Sequence, residues 1–214
     1  MGEIPKKPSH GPHPTEPHQL QLLLRPHDGQ WRVVTGSKID ARGLAVMYRS
    51  KDFVQWDEVD HPLHYKDGMV VWECPDMCPV AKTGRTGVET RVSGPHVKHV
   101  LKVSLDDTKN HVRTIGTYNL KKDIYIPNKG SIEGYNGLRY DYGKFYASKT
   151  FFDTQKKRRI LWGWVNESSS VDDDIKKGWS GVQAIPRAVW LDASGKQLIQ
   201  MANCRNSKAS KEKS

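Results

Sequence analysis

Along this chain the apolar residues gather in short runs separated by polar, glycine-bearing stretches, a texture of strands and turns. Trp31-Arg32-Val33-Val34-Thr35-Gly36 and Leu44-Ala45-Val46-Met47-Tyr48-Arg49 flank the polar stretch 37–43 and predict a hairpin. A turn through Ser50-Lys51-Asp52-Phe53 leads to Trp56, and Pro62 and Gly68 punctuate the stretch from there to residue 69. Residues 97–105 predict a third strand, closed by the polar turn 106–110. The strongest hairpin comes late: residues 144–152 and 159–165, aromatic and β-branched, flank the turn 153–158. No window carries a sustained helical stripe, so the expected class is all-β, and pattern alone leaves sandwich, barrel and propeller open.

The two ends have a different texture. Residues 1–21 are rich in proline and histidine, and 201–214 are polar and lysine-rich; both predict disordered tails around a folded unit at 22–200. Asp172-Asp173-Asp174 with Lys176-Lys177 reads as a solvated loop in preference to a calcium site. No apolar run reaches 18 residues, and the first thirty lack the basic, apolar and cleavage regions of a secretory signal.

With 34 basic against 24 acidic side chains the net charge is +10, which favours polyanionic surroundings. Nucleic acid is disfavoured as that partner, because no zinc-finger, RNA-binding or helix-turn-helix pattern is present. The three cysteines signal no disulfide framework. Cys74 and Cys78 with His61 and His64 could be assembled into a zinc set on paper, but the histidines read more simply as loop residues beside Pro62, so no metal is expected.

The chemically dense segment is Trp72-Glu73-Cys74-Pro75-Asp76-Met77-Cys78-Pro79-Val80, directly after the apolar run 69–71. A partly dehydrated, apolar surrounding disfavours a charged carboxylate, and a glutamate so placed can hold a proton for a leaving group. On residues alone a plainer reading stands beside this one: Glu73 as an ordinary acid, Cys74 as a small core residue, and Pro75 and Pro79 as strand ends.

Trp72-Glu73-Cys74-Pro75-Asp76 with Pro79-Val80 resembles the acid/base signature of plant glycoside hydrolase family 32, the cell-wall invertases and fructan exohydrolases. The resemblance extends to Gly36-Ser37-Lys38, Tyr48 with Ser50-Lys51-Asp52-Phe53, residues 146–153 and 158–164, and Gly178-Trp179 through Ile185-Pro186-Arg187. It implies a partial five-bladed β-propeller with its site in an axial funnel, lacking the first blade and the C-terminal β-sandwich. It also implies Glu73 as the catalytic proton donor of a retaining β-fructofuranosidase, with no metal or organic cofactor. The family's nucleophile lies in an Asn-Asp-Pro-Asn-Gly block that this sequence does not contain. Its Arg-Asp-Pro triplet is expected shortly before Trp31, where the chain instead reads Pro14-Thr15-Glu16-Pro17-His18. Nothing in the sequence places Asp76 or Asp141 as a substitute, so weak or absent turnover is expected. The alternative is a sucrose- or fructan-binding or regulatory module that pairs with intact relatives.

In invertases the positions of Glu133 and Asn136 carry Asp and Lys that help hold the glucose half of sucrose. Here the acid is longer and the lysine's charge is gone, which opens the fructan reading. Trp162, Trp164, Trp179, Tyr142 and Tyr146 could stack on sugar rings, although most are expected in the core. Asn166-Glu167-Ser168 is a glycosylation sequon, with Asn166 the acceptor in a secreted chain. The resemblance places the protein in the apoplast or cell wall, with pectin-like polyanions nearby. Met201-Ala202 stands where the family continues Trp-Pro, and its codons contain TGG one base later, which predicts a frameshift near Met201 and a second break before Leu22.

Overall fold

The computed structural model describes the backbone of residues 18–23 and the whole of residues 28–167 and 169–202. Three antiparallel sheets follow one another in chain order. The first runs β1 (His18–Leu23), β2 (Trp31–Ile39), β3 (Arg42–Ser50), β4 (Asp57–Glu58), with β5 (His64–Asp67) also pairing to β3. The second is β6 (Trp72–Ala81), β7 (Val97–Leu105), β8 (Asn110–Asn119), β9 (Ile124–Pro127). The third is β10 (Phe145–Asp153), β11 (Arg158–Val165), β13 (Arg187–Leu191), β14 (Leu198–Ala202), with β12 (Val182–Gln183) on β11 and helix α1 (Val171–Lys177) between β11 and β12. Sheets built from sequence neighbours and stacked in this way are the blades of a propeller.

The middle sheet is covered on both faces, which explains why β6 and β7 read as nearly unbroken buried runs. Strand alternation divides their side chains between two cores. Trp72, Met77, Leu101, Val103, Leu105 and Val112 pack toward the first sheet with Val34, Met47 and Leu63. Cys78, Val80, Val100 and Ile115 pack toward the third with Phe145, Leu161 and Val189. β6 touches β1 and β2 on one side and β10 on the other, so it is the strand the three sheets share.

A buried ionic seam ties the first two sheets together. Asp123 lies in the turn before β9, accepts from Arg32 Nε on β2 at 2.8 Å, and also receives Arg49 and Tyr118. Asp28 holds the far side of the Arg32 guanidinium at 2.6 Å.

Several expectations change in the structure. Pro75 and Pro79 lie within β6 and do not end strands, because β6 stands at the edge of its sheet: among the described strands it pairs with β7, its other side carries one isolated bridge from Val80 to Gly87, and a missing N–H on that side breaks no strand ladder. Residues 171–177 are a helix and not a loop: Ser170 and Asp173 form a capping box, acids fill the first turn and lysines the last, and Gly178 closes it in the left-handed conformation. No apolar stripe signals this helix because it buries nothing. The first strand starts at His18, inside the stretch expected as a tail, since its backbone pairs with β2 from Gly36 to Arg32. β14 likewise reaches Ala202, while residues 1–17 and 203–214 of the expected tails lie outside the described residues. Trp162, Trp164, Trp179 and Tyr142 are exposed, not core: among the described residues no further sheet covers the outer face of the third one.

His99 and His111 are buried in the middle sheet, and burial pushes them down to about 4 and about 3. Tyr140 donates its N–H to His111 Nε2 at 2.8 Å, and His111 Nδ1 lies 3.2 Å from the Phe145 carbonyl, a pair of contacts that suits the neutral ring. Both folded-state values lie below the ordinary 6.5, so their contribution is complete above that pH and is lost as pH falls toward 4. Urea denaturation between pH 6.5 and 4.5 should therefore show stability falling by about 1.4 kcal/mol per pH unit for each histidine. A flat profile there contradicts the assignment.

Candidate active site

The site forms where two innermost strands break register. On β6, Glu73 pairs with Ser104 and Asp76 with Lys102, so Cys74 and Pro75 together oppose a single residue of β7. On β10, Tyr146 pairs with Trp164 and Lys149 with Trp162, leaving Ala147 and Ser148 opposite Gly163. Both are β-bulges, devices that re-aim side chains. Each contains a non-glycine residue in the left-handed region, Cys74 at φ +44° and Ala147 at φ +48°.

The bulges bring Glu73 and Tyr146 together. The Tyr146 hydroxyl donates to Glu73 Oε2 at 2.5 Å and lies 3.4 Å from the Leu105 carbonyl. Burial, and then the bond to Glu73, raises the Tyr146 pKa far above its ordinary value, which keeps the phenol a donor. Glu73 itself is half-buried, with buried Trp72 and Cys74 on either side. Lys109, ion-paired with Asp106 in the β7–β8 turn, holds its ammonium 5.9 Å from the Tyr146 ring centre. Under the strand, a Cβ added at Gly36 would stand 1.9 Å from the Trp72 carbonyl oxygen, so only glycine lets β2 pass this close.

Glu133 and Asn136 bracket a single 3-10 turn, Gly134–Asn136. Glu133 Oε2 lies 2.6 Å from His64 Nε2, and this bond holds the carboxyl below its usual range. The His64 ring stands 6.0 Å from that of Trp72, the neighbour of Glu73. Tyr135 of the same turn donates to Asp107 at 2.7 Å, beside Lys109, while Asn136 is exposed. The turn is thus tied to the Glu73 end of the middle sheet by two routes.

Neither alternative acid is a candidate nucleophile. Asp76 is 0% exposed and so closed to a sugar, and Asp141 is engaged by Arg187 at 2.7 Å and the Gly143 N–H at 2.8 Å. Cys74 and Cys78 are buried thiols outside any disulfide, and burial raises the pKa of both, Cys78 to about 11. His61 faces the Pro62 carbonyl and His64 serves Glu133, so the paper zinc set is not assembled. Asn166 follows β11 and is partly exposed, though the third residue of its sequon lies outside the described residues.

Sequence reasoning assigns no role at this site to Lys102 or Lys149, reads His64 as a loop residue beside Pro62, and offers Tyr146 only as a core aromatic that could stack on a sugar. The Tyr146–Glu73 contact joins positions 73 residues apart, and linear spacing carries no trace of it.

Residues 23–202 match the Glycosyl hydrolases family 32 N-terminal domain. The chain belongs to glycoside hydrolase family 32. It is 61% identical over 174 residues to the insoluble β-fructofuranosidase isoenzyme CWINV5 of Arabidopsis thaliana, covering 81% of this chain and 30% of that protein. It is equally, at 61% over 173 residues, similar to the fructan 6-exohydrolase of Beta vulgaris, with 81% and 28% covered. Among solved structures, fructan 1-exohydrolase IIa of Cichorium intybus superposes with a TM-score of 0.80 at 46% identity, covering 84% of this chain and 33% of that one. A variant of the same enzyme, in complex with 1-kestose, gives 0.79. The chain spans about 30% of the length of the curated relatives it matches. The three sheets are therefore blades of a family 32 propeller.

Proposed function

We propose that this chain carries the proton-transfer half of a β-fructofuranosidase site, acting on the terminal fructosyl units of sucrose or fructans, with Glu73 as acid/base. The observation that carries this reading is the Tyr146–Glu73 hydrogen bond at the paired bulges. In a retaining double displacement the acid protonates the leaving oxygen while a second carboxylate, about 5–5.5 Å away, takes the sugar. Tyr146 occupies Glu73 Oε2 and leaves Oε1 to face the leaving group. Once that oxygen departs with the proton, the carboxylate returns as base and draws a proton from the attacking water. Neither Asp76, fully buried, nor Asp141, engaged by Arg187, is placed to act as that second carboxylate.

Sequestration of Glu133 by His64 and the neutral, exposed Asn136 favour fructan over sucrose at the second sugar position. Glu133→Asp, one methylene shorter and unable to keep the His64 contact, should raise the ratio of sucrose to fructan hydrolysis. An unchanged ratio would show that Glu133 does not set specificity. Relatives named as insoluble and cell wall isozymes support an apoplastic location.

A second reading draws on the exposed Phe151, Trp162, Trp164 and Met201 of the third sheet: a sugar-binding module that pairs with another polypeptide. Fructose release from sucrose and an inulin-type fructan, measured on chain shown to be folded by circular dichroism, separates the two. Slow release supports the enzyme; sugar binding without any release favours the module.

A further inference from the structure

A bulge frees backbone groups that the strand ladder would otherwise hold, and on β6 the freed carbonyls include those of Cys74 and Pro75. Both are held by lysine ammonium groups. Lys102 on β7 donates to the Cys74 carbonyl at 2.7 Å, and Lys149 on β10 donates to the Pro75 carbonyl at 2.6 Å. We propose that Lys102 and Lys149 are positioning residues for Glu73: they clamp the two bulge carbonyls, hold Cys74 left-handed, and so aim the Glu73 carboxyl at Tyr146. The proposal rests on the reading of Glu73 as acid/base and deepens it.

The physical case begins with cost. A non-glycine residue in the left-handed region, as Cys74 is at φ +44°, is strained and persists only where its surroundings over-determine it. Here they do so from two strands at once, one in the same sheet and one in the next. Lys102 is 0% exposed, and burial pushes it down to about 8, so an apolar residue of similar length would fill its place at no loss of packing. What an apolar residue cannot do is donate to a carbonyl. Fully buried Asp76, in electrostatic reach of both lysines, favours the charged form of each against burial. Lys102 also lies 3.4 Å from Ser104, the residue paired with Glu73, so its ammonium spans the register shift. Tyr146 and Lys149 bracket the β10 bulge, so one irregularity delivers both the hydrogen-bond donor for Glu73 and the clamp for Pro75.

The test reads geometry without requiring turnover. In the full chain the Tyr146 hydroxyl proton, short-bonded to Glu73 and 8% exposed as a residue, should give a far-downfield proton resonance, assigned by its loss in Tyr146→Phe. Lys149→Met, at a partly exposed position, should lose or broaden this resonance while circular dichroism stays unchanged, and Lys149→Arg should keep it. Lys102→Met should behave as Lys149→Met does. A folded Lys149→Met with the resonance in place overturns the proposal, as does its absence from the unaltered chain. Unfolding of both methionine variants also overturns it, because the lysines then serve the fold and not the aim of Glu73. Hydrolysis by Glu73→Gln judges the acid/base reading separately, so the two can fail independently.

Discussion

Asp123→Ala should cost about 3–5 kcal/mol of folding free energy, the range for removing one partner of a buried ion pair. Asp123 is 0% exposed and accepts from Arg32 and Arg49 and from the Tyr118 hydroxyl. Arg32 is 2% exposed and, among the described residues, would keep Asp28 and the Gln30 carbonyl. A buried guanidinium without its counter-ion is worse than no ion pair at all, which is why truncation is expected to exceed the net value of the pair. Because the seam joins the first and second sheets, the variant should also separate them. Urea denaturation reads the loss, and a midpoint within experimental error of the unaltered chain would show that the seam is solvated.

Gly36→Ala should be nearly as damaging, about 3 kcal/mol, the upper end for overpacking. The new methyl would stand 1.9 Å from the Trp72 carbonyl oxygen and 3.2 Å from the Glu73 nitrogen. Both are backbone atoms, so no rotamer change relieves the clash, and β2 and β6 must part. Glu73 moves with them, so fructose release should fall further than stability alone explains. Denaturation paired with a sugar-hydrolysis assay checks both, and an alanine variant with unaltered stability would mean that the two strands lie further apart in solution.

Much of the fold was legible because each blade is a local object. The hairpin at Trp31–Ile39 and Arg42–Ser50 and the strand Val97–Leu105 follow from runs, turns and β-branched residues that lie side by side in sequence. The helix at Val171–Lys177 escaped because capping and end charges hold it, with no apolar stripe. Pro75 and Pro79 misled because a proline ends a central strand but not an edge strand, and edge status depends on the third dimension. In the site, Glu73 could be named from its motif, whereas its environment could not. Tyr146, Lys102 and Lys149 reach it through two register shifts whose partners lie 28 to 74 residues away. A bulge is invisible to alternation until both strands are placed.

The central claim is that Glu73 supplies the proton to the departing sugar. It is tested most directly by comparing the chain with Glu73→Gln on two substrates, sucrose and an aryl β-fructofuranoside whose leaving group departs without a proton. The account predicts a loss of about 10²–10⁴-fold on sucrose, the usual worth of a positioned general acid, and a much smaller loss on the aryl substrate. Equal rates for the two proteins on sucrose, or equal losses on both substrates, would contradict it.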